Sequence, residues 1–240
     1  MPFRQLKKEV FKLLIRDDFS NSLVEISRLP GRQVINPLFS FLYHADEIVR
    51  WHAVSAMGVV TAGLAEKNVE SARIIMRRLI WNLNDESGGI GWGSPESMGD
   101  IMARSDHMAR EFSKILISYA LPHGNFLEHD ILQRGLLWGL YRLGKAKPGL
   151  TYGAAPFVRP FLTSPDPFHR GLAICFAEAV RDTSAIPCLE DLIHDNTLIS
   201  IYTDFRMNSH KMANLAVSAI AAIQQNTPCL LYTSDAADDT

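Results

Sequence analysis

Apolar and polar positions follow helical spacing along most of the chain, which reads as a succession of short amphipathic helices joined by brief polar turns. Four segments share one pattern, Asp-x-x-x-Arg followed by small or apolar residues at helical intervals. They start at Asp46 and Arg50 (DEIVRWHAVSAMG), Asp106 and Arg110 (DHMAREFSKIL), Asp130 and Arg134 (DILQRGLLWGLYRLG), and Asp166 and Arg170 (DPFHRGLAICFAEAV). Beyond the arginines, Ala53, Ala56 and Met57, then Ser113, Leu116 and Ile117, then Leu137, Leu140 and Tyr141, then Ala173, Phe176 and Ala177 each fall on one helix face. Each segment therefore predicts a helix with one buried stripe. A fifth, degenerate copy is SHKMANLAVSAIAAI, with Ser209 and Ala213 in the Asp and Arg places.

An Asp in the first turn of a helix satisfies free backbone N–H groups and meets the positive end of the helix dipole, worth about 0.5–2 kcal/mol as a cap. The Arg four residues on shares its face and can either hold that Asp or reach the neighbouring repeat. Residues 32–43, 69–83, 154–163 and 186–194 predict the first helices of hairpins whose second helices carry the pattern. This arrangement resembles the second helix of HEAT repeats, including the related short repeats of phycobilin lyases, over most of residues 31–224. The resemblance implies an all-α fold, a right-handed α-α superhelix (HEAT/armadillo-like solenoid) of about five helical hairpins occupying residues 1–228 as one domain. Helices within residues 1–30 are expected to cap its N-terminal end. The Asp positions are spaced irregularly, which an insertion in the second unit and an abbreviated third unit explain.

Residues 81–101, WNLNDESGGIGWGSPESMGDI, interrupt the helices, with a Gly-rich insertion loop expected at 84–95. Trp81 is either packed on an adjacent repeat or presented to a ligand. Asn84, Asp85 and Glu86 end the preceding helix, and Ser94, Pro95 and Glu96 make a helix start with a hydroxyl cap. A phosphate cradle is disfavoured, because no strand precedes the glycines and Asp85 with Glu86 would repel an anion. The acidic pair with Trp92 and Glu96 suits a basic or amide-bearing peptide, or a cationic small molecule, held against an aromatic wall. The alternative is a buried loop whose carboxylates cap neighbouring helices. The segment is similar to one in an uncharacterised prokaryotic family of HEAT-repeat proteins. Past it, a break at Ser105 is expected to divide residues 95–121 into two helices. A second polar loop, IYTDFRMNSHK, contributes Tyr202 and Asp204 as further candidates.

Composition narrows the function classes. The chain has 240 residues, 47% of them hydrophobic and 21% charged, within the globular range. Its last residues, CLLYTSDAADD from Cys229 to Asp239, resemble the in-frame translation of a sequencing-library adapter, so residues 229–240 are expected to be a non-native tail. Without Asp235, Asp238 and Asp239 the acidic count falls from 26 to 23 against 24 basic residues, a formal charge of +1 in place of −2. Neither value favours a nucleic-acid partner. HEAT-like DNA glycosylases, suggested by Arg73, Arg77 and Arg78 beside Trp81 and Trp92, resemble the chain in architecture only. No apolar run approaches the roughly 20 residues of a membrane span. A cytoplasmic protein with reduced thiols is expected. The histidines near the repeat aspartates (His44, His107, His129, His169 and His210) read as solvated helix-terminal residues, and no metal site or cofactor is implied. The sequence thus predicts a HEAT-repeat scaffold holding a protein or peptide partner on its concave face and the 81–101 loop. A small-molecule, tetrapyrrole- or metal-cofactor-related lyase or chaperone is the alternative, and no catalytic residue is assigned.

Overall fold

The computed structural model describes residues 2–84 and 91–225. At the N-terminus, α1 (Phe3–Leu14) buries Leu6, Val10, Leu13 and Leu14 on one face, and α2 (Phe19–Arg28) starts where the Asp18 carboxylate accepts from the Asn21 N–H. Three regular hairpins follow: α3 (Gly31–Phe41) with α4 (Glu47–Lys67), α5 (Val69–Asn84) with α6 (Ser94–Arg104), and α7 (Asp106–Ser118) with α8 (Asp130–Ala146). In the fourth, Pro148, Pro156 and Pro160 remove backbone donors from the first member. It becomes a run of single turns, α9 (Pro148–Thr151) and α10 (Ala155–Val158) linked by 3-10 turns, ahead of α11 (Pro167–Val180). The fifth pairs α12 (Ile186–Glu190) with α13 (Met212–Gln224).

The second helices α4, α6, α8, α11 and α13 pack side by side in chain order, and the first helices lie against them as an outer layer. The protein is an all-α solenoid of stacked helical hairpins. Its buried apolar residues, from Leu6 to Ile223, form one continuous cluster. The helix α4 is long and apolar enough to cross a membrane by length and composition, yet 61% of its apolar window is buried inside the protein, between α2, α3, α5 and α6.

Several sequence expectations shift in the structure. The break at Ser105 is present, with its hydroxyl accepting from the Met108 N–H. The helix it opens, α7, belongs to the outer layer, so Asp106–Arg110 is not equivalent to the other three pairs; the inner helix of that region is α6. Ser94 is the first residue of α6, and its cap position is Gly93, whose φ of 74° lies in the left-handed region. Ser209 does not open α13, because it lies in a strand. The loop expected at IYTDFRMNSHK is an antiparallel hairpin of β1 (Leu198–Thr203) and β2 (Arg206–Lys211), inserted between α12 and α13. Its two-residue turn, Asp204 and Phe205, has positive φ at both positions, 50° and 64°. A left-handed conformation disfavours a bulky residue, and packing holds Phe205 there: its ring meets Phe19 edge-on at 5.5 Å. Finally, His169 is buried rather than solvated, bonded through Nδ1 to Ser164 Oγ and through Nε2 to the Asp130 carbonyl.

Close approach of α6 to α8 rests on glycine. A methyl group added at Gly99 would overlap the backbone of Gly139, and one added at Gly139 would meet the Pro95 carbonyl oxygen. In an exposed helix Gly→Ala stabilises by about 1 kcal/mol. Here Gly99→Ala is expected to destabilise by about 1–3 kcal/mol through overpacking. Urea denaturation reads the sign, and a stabilised variant would contradict this packing.

Candidate functional site

The site is built from the first turns of the second helices. Asp46 caps α4 through the Ile48 N–H at 2.9 Å, Asp166 caps α11 through the Phe168 N–H at 2.8 Å, and α8 is capped by His129 Nδ1, one residue ahead of Asp130. Among the described residues, none of the four repeat aspartates bonds the guanidinium four residues on through its carboxylate; Asp46 and Asp166 meet Arg50 and Arg170 only as helical backbone bonds. Arg50 Nη1 donates to the carbonyls of His44 and Ala45 at 2.8 and 3.2 Å. Arg170 repeats this geometry on Ser164 and Pro165 and also reaches Asp195 at 2.9 Å. Arg134, one position farther from its cap, lies over the Phe168 ring and donates through Nε to Asp166 of the next hairpin at 2.7 Å. Burial alone would raise the Asp166 carboxyl, but Arg134 and the Phe168 N–H hold it below the usual carboxylate range. Arg110 is exposed, and Asp106 pairs with Lys147.

These first turns surround a cavity of about 340 Å³ that the 198–211 hairpin and Trp92 close from the sides. Its walls carry Arg50 and Trp51 from α4, Arg134, Gly135 and Trp138 from α8, Phe168 from α11, and Tyr202 from β1. Tyr202 is fixed from three directions. Its ring stacks on Trp51 at 4.8 Å, its hydroxyl bonds Ser55 Oγ at 2.9 Å, and its carbonyl accepts from Trp138 Nε1 at 2.9 Å. His52 ties the hairpin tip down through the Phe205 carbonyl at 3.2 Å.

Glu96 is the ionisable group that stands out in this wall. A methyl group at Gly135 would come within 2.5 Å of its Oε1, so the carboxyl rests against bare α8 backbone. Its Oε2 is buried without a hydrogen-bond partner among the described residues, as are Trp92 Nε1, Ser94 Oγ and Ser97 Oγ. Of these four residues Trp92 and Glu96 line the cavity, and their unpaired atoms stand out there, since buried polar groups are normally bonded. Burial pushes the Glu96 carboxyl up from 4.5 to about 7, while its own backbone N–H and the Arg50 guanidinium pull it down. A carboxyl so placed can accept an N–H or O–H, and aromatic side chains stand beside it in the wall. The Cys175 thiol, pushed up to about 12 by burial, stays protonated and is a core residue.

Of the residues expected from sequence, Trp92, Glu96 and Tyr202 meet in this cavity. Trp81 does not line it and is 70% exposed on α5, so neither the cavity nor the core takes it. Asn84 accepts from the Tyr119 hydroxyl at 3.4 Å, and Asp204 is exposed in the strand turn. Asp85 and Glu86 lie outside the described residues, as does the 229–240 tail. Sequence reasoning treated Arg50 and Arg134 as structural and missed Trp51 and Trp138. The usable signal was Trp51 directly after a repeat arginine.

No family model matches the chain. A protein of Archaeoglobus fulgidus is 33% identical over 81 residues, a stretch covering 34% of this chain and 41% of that protein. Among solved structures, a designed armadillo repeat protein in complex with the peptide (KR)4 matches with a TM-score of 0.53 at 14% identity, over 91% of this chain and 99% of that one. An engineered protein matches at 0.52 and 14% over 92% and 97%, and a computationally designed armadillo repeat protein for modular peptide recognition at 0.51 and 13% over 92% and 99%. These similarities place the fold among armadillo-like repeat solenoids.

Proposed function

We propose that the protein is a repeat scaffold that binds a peptide or protein segment, with the Glu96 cavity gripping one side chain that presents N–H donors, from Lys, Arg, Asn or Gln. The observation that carries this reading is the Glu96 carboxyl, with an unbonded oxygen, set among Trp51, Trp92, Trp138 and Tyr202. A donor from a ligand satisfies that oxygen, and a cation over the aromatic faces adds about 0.5–2 kcal/mol. An amide also offers an acceptor to Trp92 Nε1, which lacks one among the described residues. Of the two arginines in the wall, Arg134 is balanced by Asp166, and Arg50 is turned by Nη1 onto the backbone carbonyls of His44 and Ala45, which orient its charge without cancelling it. The (KR)4 peptide on the designed armadillo protein of like fold supports a basic peptide as the class.

Selection from a displayed peptide library tests the proposal. Wild-type protein is expected to enrich Lys, Arg, Asn or Gln at one fixed position, and Glu96→Gln to weaken the selected peptide about 10- to 100-fold, the range for hydrogen bonds to a charged group. Trp81→Ala should leave affinity unchanged. Enrichment that ignores Glu96→Gln and Trp92→Ala would remove the cavity from the account.

A second reading rests on cavity size, which at about 340 Å³ falls at the lower end of small-molecule sites. Native mass spectrometry of purified protein distinguishes it: a retained small amine or amide supports this reading.

A further inference from the structure

Outside the Glu96 cavity, three helices converge on one buried carboxylate. Asp100 on α6 is 2% exposed and accepts from Arg104 Nε on Oδ2 at 2.7 Å and from Arg142 Nε on Oδ1 at 2.8 Å. Facing them on α4 is Gly58, where any side chain would collide with the Asp100 carboxylate. The backbone of α4 is thereby drawn in against the group.

Each arginine spends only its Nε on Asp100. The terminal nitrogens of both guanidiniums have no hydrogen-bond partner among the described residues, and the two side chains remain 26% and 29% exposed. Here two positive charges share one negative charge, leaving an excess of +1 at a half-buried point. Asp204 and Glu178 act on the neighbouring Tyr141, and neither reaches ion-pair distance of the two arginines.

We propose that Arg104 and Arg142, oriented by Asp100, bind a single oxyanion, either a carboxylate or a phosphate group. The planar guanidinium edges suit both, since each presents parallel N–H donors at the spacing of two oxygens of one group. The site is separate from the Glu96 cavity and does not depend on the reading given for it.

Isothermal titration at low ionic strength, with inorganic phosphate in one arm and acetate in the other, tests this and distinguishes the two sources. Saturable one-to-one binding of at least one anion is expected. Arg104→Gln and Arg142→Gln, each of which leaves Asp100 one arginine, should weaken it about tenfold or more, as loss of a charge-assisted contact predicts. Arg16→Gln, in a remote exposed pair with Glu25, should not. Arg142→Lys retains the charge opposite Asp100 and guards against loss of folding in the Gln variant; it should weaken binding several-fold while its melting temperature holds. No saturable binding of either anion to wild-type protein, or equal binding by the Arg104 and Arg142 variants, would overturn the site.

Discussion

Asp100→Asn is expected to lower the stability of the protein by about 3–5 kcal/mol, the cost of leaving buried charge without its counterion. The variant has nearly the same shape, so no cavity forms, and the loss reads electrostatics. Among the described residues, Asp100 alone forms ion pairs with Arg104 and Arg142. Because both arginines keep some contact with water, the lower end of the range is the expectation. For a chain of this size that corresponds to a fall in melting temperature of about 6–12 °C. Adding Arg104→Gln and Arg142→Gln to Asp100→Asn should restore part of the loss, since the uncompensated charges are then gone. Thermal and urea unfolding of the single and triple variants measure both steps. A loss below about 1 kcal/mol for Asp100→Asn would mean that solvent, not Asp100, balances the arginines.

Glu96→Gln should act in the opposite direction, and only over part of the pH range. The Glu96 carboxyl sits at about 7 in the folded protein against 4.5 as its ordinary value, with burial as the first cause. A carboxyl raised in the folded state is fully compatible with folding below 4.5, where both states hold the proton. As pH rises towards 7 the unfolded chain loses its proton first, and stability falls by up to about 3 kcal/mol before levelling off. Glutamine carries no such proton, so the variant should gain on wild type between pH 4.5 and 7 and hold that gain above it. The same linkage governs binding: a cationic ligand prefers the ionised carboxylate, so its affinity should rise as pH passes from 6 to 8. Denaturation of both proteins at pH 5 and pH 8 is the check. Parallel pH profiles would show that the Glu96 carboxyl is solvated.

Much of the scaffold was legible because caps and buried stripes are local. Asp46, Ser105 and Asp166 mark helix starts through hydrogen bonds to N–H groups two or three residues away, and single-sequence periodicity reports such contacts directly. Adjacent polar residues blurred the frame, as at His129 and Asp130, either of which can occupy the cap. That ambiguity made Arg134 look like Arg50, although the one-residue difference sends it to Asp166. The outer-layer position of α7 was hidden for the same reason: its stripe and its cap look like those of an inner helix. The 198–211 hairpin escaped because its turn carries Asp204 and Phe205 rather than Asn-Gly, and tertiary contacts to Phe19 hold the turn.

The cavity was legible only at Trp92, Glu96 and Tyr202, which lie in the two insertions that interrupt the helical pattern. Trp51 and Trp138 sit inside regular helices, where an aromatic residue reads as core. Their meeting with Glu96 depends on helix stacking and on the hairpin closing over them, which no spacing along the chain encodes. Trp81 shows the converse, a residue conspicuous in sequence because it borders the glycine-rich stretch, yet placed on an open face of α5.

The chain's 4 tryptophans supply the most direct test, because Trp51, Trp92 and Trp138 line the cavity and Trp81 does not. Indole N–H signals in a nitrogen-15 correlation spectrum, assigned by single Trp→Phe variants, can be followed as a library-selected peptide is added. Trp92 and Trp51 are expected to shift in a saturable way in wild-type protein while Trp81 stays fixed, and Glu96→Gln should suppress the shifts at the same peptide concentration. Movement of Trp81 with Trp51 and Trp92 unchanged would place the peptide elsewhere and overturn the cavity as its site.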